Sequence, residues 1–290
     1  MISIILPVYK DQKNLNRMLI ELRANKTDLI WELIVVDDGS STPLTLGDNP
    51  LANWQIIHHE SQRGAATSRN SGVKQAGGEF LILLSVFLKI PKDYLSRISA
   101  FIESNQFDFA QHMLEPDPGL PLTEFQVFLS GQKERLSPQP DTLPIKNSLF
   151  TAAIIKKEVY CHVKGFDESM NHYGGHEIDL VYRLDQAGFK NRRIIPDFPL
   201  QRIKIENHKK IQVRLQEYGK IGLPALLKKH PELKKMILLY PGVWSFMKIF
   251  GLPKLIEERL AKQIEQDIEL SKRQYRLYLH LLVRNAWDAR

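Results

Sequence analysis

Three short segments carry side chains whose types and spacing suit work on a phosphorylated, hydroxyl-bearing ligand. In Val35-Val36-Asp37-Asp38-Gly39-Ser40, two carboxylates follow an apolar run. Carboxylates at a strand end accept hydrogen bonds from a base N–H or a ribose hydroxyl. Asp, Gly and Ser also make ordinary turns, and at this point both readings stand. In Arg63-Gly64-Ala65-Ala66-Thr67-Ser68-Arg69-Asn70, two guanidinium groups flank the start of a helical stretch. Helix starts and forked Arg contacts both favour phosphate, and a solvated basic helix start is the alternative. In Tyr173-Gly174-Gly175-His176-Glu177-Ile178-Asp179-Leu180, two glycines permit close backbone approach to a ligand. Glu177 follows them as a candidate general base for an acceptor hydroxyl, while Asp179 suits the first turn of a helix. Tyr9, two residues after Pro7, offers a ring that stacks on a planar base or packs as a half-buried aromatic.

These residues need elements to position them. Short apolar runs at Ile2–Leu6, Glu32–Val36, Trp54–His58, Phe80–Leu84 and Phe107–Gln111 predict strands. Between them, Leu15, Met18, Leu19 and Leu22 recur at helical spacing, and Ala65–Ala76 and Tyr94–Ile102 predict two more helices. Strand–helix alternation predicts an α/β fold with a mostly parallel sheet flanked by helices. Ligands of such sheets bind beyond the carboxyl ends of the strands, here Pro7-Val8-Tyr9, Asp37–Ser40 and Ser85-Val86-Phe87. Six prolines between Glu115 and Pro144 predict a loop or lid. A strand at Phe150–Ile155 and a helix from Glu177 to Ala187 follow, and after residue 209 the pattern becomes one of basic amphipathic helices.

Composition excludes several classes. With 290 residues, 43% hydrophobic and 25% charged, and 16 each of Gly and Pro, the chain is neither collagen-like nor low-complexity. The single cysteine, Cys161, makes no internal disulfide and no cysteine zinc cluster, which fits a reducing, cytoplasmic setting. Met1–Leu6 is too short for a secretion signal and reads as a buried strand. The apolar stretch Met236–Ile256 is broken by prolines, glycines and Lys248, which argues against a spanning helix. The net charge of +7 is uneven: residues 201–290 hold 19 Lys and Arg against 9 Asp and Glu, the first 200 residues 21 against 24. Five lysines between Tyr218 and Lys235, next to apolar and aromatic residues, suit an anionic membrane surface on its inner face. Packing within the chain or a homo-oligomer is the alternative. No nucleic-acid-binding module accompanies the charge, so no nucleic-acid partner is expected.

The order of motifs resembles the family 2 glycosyltransferases. It comprises Ser3-Ile4-Ile5-Leu6-Pro7-Val8-Tyr9, then Val35–Ser40, Arg69-Asn70-Ser71-Gly72, Gly78-Glu79-Phe80, Gly165-Phe166-Asp167-Glu168 and Gly174-Gly175-His176-Glu177 with Arg183. The resemblance spans about residues 1–210 and implies a GT-A fold and inverting transfer from a nucleotide sugar, most often UDP-linked. It also implies roles. Pro7 and Tyr9 match positions that hold the base, Asp38 with Asp37 those that meet uracil and ribose, and Arg63 and Arg69 lie in the stretch that lines the nucleotide. Glu177 matches the carboxylate that deprotonates the acceptor hydroxyl, with Gly174, Gly175, His176 and Asp179 as acceptor or supporting residues. Arg183 supports the helix and Asp167 the turn before it.

The family's Asp-x-Asp motif, which holds Mg²⁺ or Mn²⁺ against the diphosphate, should fall at Ser85-Val86-Phe87, where neither aspartate is present. Either basic side chains such as Arg63 and Arg69 neutralise the phosphates, or another group such as His176 or His208 holds a metal, or transfer is lost. The expectation is therefore a GT-A domain over residues 1–208 and a basic helical extension over 209–290. The GT-A domain comprises a nucleotide-binding half at 1–112 and an acceptor half at 113–208, which contains the Pro-rich loop. The expected activity moves a sugar from a nucleotide sugar to a hydroxyl of a glycan or lipid-linked acceptor. A non-catalytic nucleotide-sugar-binding subunit is the alternative.

Overall fold

The structure, a computed structural model, describes residues 1–48, 50–130, 143–170, 172–234 and 251–289. Its residues form two compact units. The first comprises Met1–Asp117, Gln132–Asn171 and Leu180–Ile203; the second comprises Pro118–Gly131, His172–Asp179 and Lys204–Arg290.

The first unit is built on an eight-stranded sheet. In chain order its strands are β1 (Ile2–Val8), β2 (Trp31–Asp37), β3 (Trp54–His58), β4 (Phe80–Leu84), β5 (Leu88–Lys89), β6 (Phe109–Pro116), β7 (Ala152–Lys156) and β8 (Arg192–Arg202). The spatial order is β3-β2-β1-β4-β7-β6-β8-β5. Strands β3, β2, β1 and β4 run parallel; β7 is antiparallel to both its neighbours, β6 and β8 are parallel again, and β5 is antiparallel to β8. The expected α/β sheet is present, with the parallel strands concentrated in its first half.

The apolar runs are continuous because both faces are covered. Ile4, Leu6, Leu33 and Val35 enter one apolar layer, and Ile5, Ile34 and Val36 enter the other, as the two-residue strand period requires. Helix α1 (Gln12–Arg23) buries Leu15, Met18, Leu19 and Leu22 in the first layer. Helix α2 (Ala65–Gln75) buries Ala66 and Val73 in the second. Helix α3 (Tyr94–Ser104) adds Tyr94, Leu95 and Ile98 to the first.

The second unit is helical, with its own core of Phe125, Leu260, Ile264, Tyr275, Tyr278, Leu281 and Leu282. Phe125 belongs to α4 (Glu124–Ser130), a short helix inside the segment expected to be a loop. The short helix α5 (Lys157–His162) belongs to the first unit, and α6 (His176–Gln186) begins in the second unit and continues in the first. Then come α7 (His208–Glu217), a π-helical turn at Tyr218–Gly222, α8 (Leu223–Lys229), α9 (Leu252–Glu265) and α10 (Lys272–Asp288). The division therefore does not fall at residue 208 alone: an apolar helix from the Pro-rich segment joins the later helices because its Phe125 packs among their tyrosines. Most of Met236–Ile256, with Tyr240, Trp244 and Phe246, lies outside the described residues, as does the stretch from 131 to 142. Among the described residues, no helix is long and apolar enough to cross a membrane.

Candidate functional site

The carboxyl ends of β1 and β2 and the chain after β3 bring five of the expected residues to one sheet edge. Val8 and Asp37 end paired strands in register, and the Val8 carbonyl accepts from the Asp38 N–H at 2.8 Å. Pro7 sits inside β1, opposite Val36, and Tyr9 emerges beyond it 38% exposed. The two aspartates are buried, and their carboxylates organise the edge. Asp37 accepts from the N–H of Ser40 at 3.1 Å and of Leu44 at 3.0 Å, and stands 3.1 Å from His58 Nδ1. Burial alone would raise its carboxyl, but the bonds from Ser40, Leu44 and His58 together hold it below the ordinary carboxylate range.

Asp38 reaches the other way. Its two oxygens accept from the backbone N–H groups of Arg63 and Gly64, each at 2.9 Å, and Oδ1 lies 3.0 Å from His59 Nδ1. His59 in turn meets the Ser71 hydroxyl at 2.9 Å. One carboxylate thus fixes the loop that enters α2, and with it the position of Arg63. Gly39 allows this close approach: its φ is +75°, and a Cβ there would stand 2.3 Å from the Ser61 backbone.

Arg63 and Arg69 part company. Arg63 is exposed and pairs with Glu168 at 3.3 Å. Arg69 is buried on the packed face of α2, its guanidinium 5.3 Å from the Phe166 ring. Asn70 holds the neighbouring turn, donating to the Phe166 carbonyl and to Glu168 and accepting from Tyr160 and the Phe166 N–H. Asp167 caps that turn through Ser169, and Arg183 donates to the carbonyls of Val163 and Gly165. Arg183, expected to support its own helix, thus reaches from it to the turn at Val163–Gly165.

The glycine turn and the start of α6 belong to the second unit. Gly174 and Gly175 both have positive φ, at +77° and +88°. His176 and Glu177 open the helix, with Glu177 and Asp179 in its first turn, where carboxylates suit the helix dipole. Asp179 is fully buried: it lies 2.8 Å from His230 Nε2 and 2.6 Å from Lys229 Nζ, and its N–H donates to the Gly175 carbonyl. It anchors the helix start. His208 is taken up in packing, with Nε2 2.5 Å from the Tyr278 hydroxyl and Phe125 edge-on to its ring.

Sequence reading gave no role to His58, His59, Asn70, Glu168 or Lys10, although Asn70 and Glu168 lie within the quoted motifs. His58 ends β3 and His59 follows it, and Asp37 and His58 are register partners. Strand adjacency would have found them; motif spacing did not.

A sheet of this order, with buried acidic residues and a glycine-entered helix at the ends of its parallel strands, defines an α/β protein of GT-A type. Residues 3–160 match the family described as Glycosyl transferase family 2, and the chain belongs to it. A Pre-mycofactocin glycosyltransferase of Mycobacterium tuberculosis is 24% identical over 307 residues, covering 99% of this chain and 62% of the relative. The chain thus spans less than two thirds of that relative's length. Mannosyltransferase PcManGT from Pyrobaculum calidifontis, solved with GDP-Man and Mn²⁺, shares the fold at a TM-score of 0.63 and 15% identity, covering 100% of this chain and 88% of that one. S. aureus TarS 1–349, solved with UDP-GlcNAc, does so at 0.52 and 16%, covering 99% and 91%.

The residues after β4 do not fit a divalent cation. Val86 is apolar and buried, and Ser85 Oγ accepts from the Phe87 N–H at 3.4 Å. The carbonyls of Val86 and Leu88 accept from the Arg17 guanidinium at 2.5 and 2.9 Å, so a cation of the chain already holds them. Hard divalent ions need several oxygen ligands, usually with carboxylates. Among the described residues, no three His, Cys, Asp or Glu side chains are grouped to hold a metal.

Proposed function

We infer that this protein transfers a sugar from a nucleoside diphosphate sugar to a hydroxyl of a glycan or lipid-linked acceptor, with inversion at the sugar. The observation that carries this reading is the Asp38 carboxylate fixing the Arg63–Gly64 loop at the carboxyl edge of parallel strands from which the exposed Tyr9 also emerges. Tyr9 supplies a stacking face for the base, and the start of α2, which the ordered Arg63 loop positions, supplies backbone N–H contacts to the phosphates. Relatives solved with UDP-GlcNAc or GDP-Man are consistent with such a ligand.

In the proposed step Glu177 accepts the proton of the acceptor hydroxyl as its oxygen attacks the anomeric carbon. The bond from that carbon to the phosphate oxygen breaks, and its electron pair leaves with the nucleoside diphosphate. General-base catalysis of this kind contributes about 10²–10⁴-fold. His176 and Asp179 flank the base in the first turn of α6, and Asp179 holds that turn through His230 and Lys229. The missing acidic pair after β4 favours a second reading, a subunit that binds a nucleotide sugar without turning it over.

Calorimetric titration with UDP and GDP, followed by release of nucleotide from a panel of nucleotide sugars, separates these. Transfer predicts binding of one nucleotide and turnover that falls about 10²-fold or more in Glu177→Gln, with nucleotide affinity unchanged. Binding without turnover supports the second reading. Failure to bind either nucleotide overturns both.

A further inference from the structure

The chain after β1 occupies a special place. Because β1 pairs with β2 on one side and β4 on the other, Tyr9 and Lys10 emerge between Asp37–Ser40 and Ser85–Phe87. A diphosphate whose base rests on Tyr9 needs positive charge at this edge, and the residues after β4 do not supply it through a metal. We propose that Lys10 neutralises the donor's diphosphate, so that this protein binds its nucleotide without a divalent cation. The proposal rests on the nucleotide-sugar reading above.

Three observations carry it. The first is charge balance among neighbours. Three other cations of the first unit are already tied to carboxylates: Arg63 to Glu168, Lys89 to Asp117 and Arg17 to Glu21. Lys10 is exposed, and its ammonium has no carboxylate partner among the described residues. The second is position. Lys10 Nζ lies 4.9 Å from the centroid of the Tyr9 ring, so a nucleotide held on that ring lies within reach of the cation. An exposed cation–π contact is weak and yields readily to a phosphate.

The third is backbone geometry. Lys10 has φ +51°, a left-handed conformation that a lysine adopts only when its surroundings impose it. Its N–H donates to Ser40 Oγ at 2.8 Å, and the Ser40 N–H donates to Asp37. The buried carboxylate of Asp37 thereby holds the turn that aims Lys10 outward. This gives Asp37 a role that direct contact with a ribose does not require. A lysine ammonium is a compact point charge suited to phosphate, and charge placed where the leaving group develops its own stabilises the departing diphosphate.

The test is calorimetry on the whole 290-residue chain with UDP, uridine, GDP and guanosine, each in EDTA and in Mn²⁺. Lys10→Asn removes the charge with a side chain that tolerates positive φ, and Lys10→Arg retains the charge. The expected wild-type result is nucleoside diphosphate binding of equal strength in EDTA and Mn²⁺. Lys10→Asn then weakens the diphosphate about tenfold, leaves the nucleoside within about twofold, and Lys10→Arg restores most of the loss. Two results overturn the proposal while leaving the nucleotide reading intact: diphosphate affinity that rises tenfold or more with Mn²⁺, or a Lys10→Asn variant that binds the diphosphate as the wild type does. Wild-type protein that binds no nucleotide or nucleoside overturns the nucleotide reading itself, and this proposal with it. Thermal melting of each variant confirms that it is folded.

Discussion

Asp37 and Asp38 are neighbours in sequence, yet their carboxylates point into different parts of the edge. Asp37 closes its own turn through Ser40 and Leu44, and Asp38 reaches across 25 residues to the N–H groups before α2. Their types and their place after a buried strand were legible in the sequence; the direction of each carboxylate was not, because a partner distant in the chain decides it. His112 shows the same limit more sharply. It is buried within β6, its ring against Tyr94 and Phe198, and burial pushes its imidazole down to about 3. An unfolded chain has a histidine that titrates at about 6.5. Between those values the unfolded state binds the proton and the folded state does not, so stability is full above about pH 6.5 and falls as the pH drops toward 3. Asp37, held below the ordinary carboxylate range, adds a further loss at lower pH as it too protonates. His112→Gln is expected to narrow the difference in melting temperature between pH 7 and pH 5. An unchanged difference would assign the slope to other groups.

At the level of elements, the periodic apolar runs mark strands β1 to β4 and helices α1 to α3 within a few residues, because each buries a face that its neighbours do not. Strand β8 and the two-residue β5 escape that reading. β8 is rich in arginine and proline, and its place in the sheet comes from pairing with β6 and β5 rather than from alternation. The start of α6 depends on a backbone requirement that local sequence does suggest. At Gly174, φ is +77°, and a Cβ would stand 2.7 Å from the Tyr218 ring. Gly174→Ala is expected to cost about 1–2 kcal/mol from the left-handed backbone alone, with more from displacement of Tyr218. Lowered melting temperature and reduced transfer, with UDP or GDP affinity retained, are the outcomes that calorimetry and a transfer assay should return. An unchanged melting temperature would remove the backbone argument.

Across the whole molecule, charge and fold divide along different lines. The basic surplus belongs to residues 201–290, but the helical unit also recruits Pro118–Gly131 and His172–Asp179. That unit has a core of its own, so its amphipathic helices are explained in part by packing. They still leave Val213, Ile221 and Leu255 exposed, with Lys209, Lys210, Lys220 and Lys254 close by in sequence. Aliphatic side chains among lysines are the composition of an interfacial surface. The full chain is therefore expected to co-sediment with vesicles containing phosphatidylglycerol at low salt, to be released as salt screens the charge, and to ignore neutral vesicles. No binding to anionic vesicles would leave those residues to self-association, which light scattering would show as a dimer or larger species.

The alternation of strands and helices, the resemblance to the family, and Tyr9, Asp38 and Glu177 as candidate site residues can all be read from the linear chain. These are properties of local pattern: apolar period, turn chemistry and motif order survive in the linear text. Folding in three dimensions settles that β7 turns the sheet antiparallel, that Arg69 is buried against Phe166 while Arg63 stays exposed, and that Arg17 holds the carbonyls after β4. It also decided that Lys10 emerges between the ends of β2 and β4. Each of these depends on which strands lie side by side, and hydrogen bonds between strands far apart in the chain set that order.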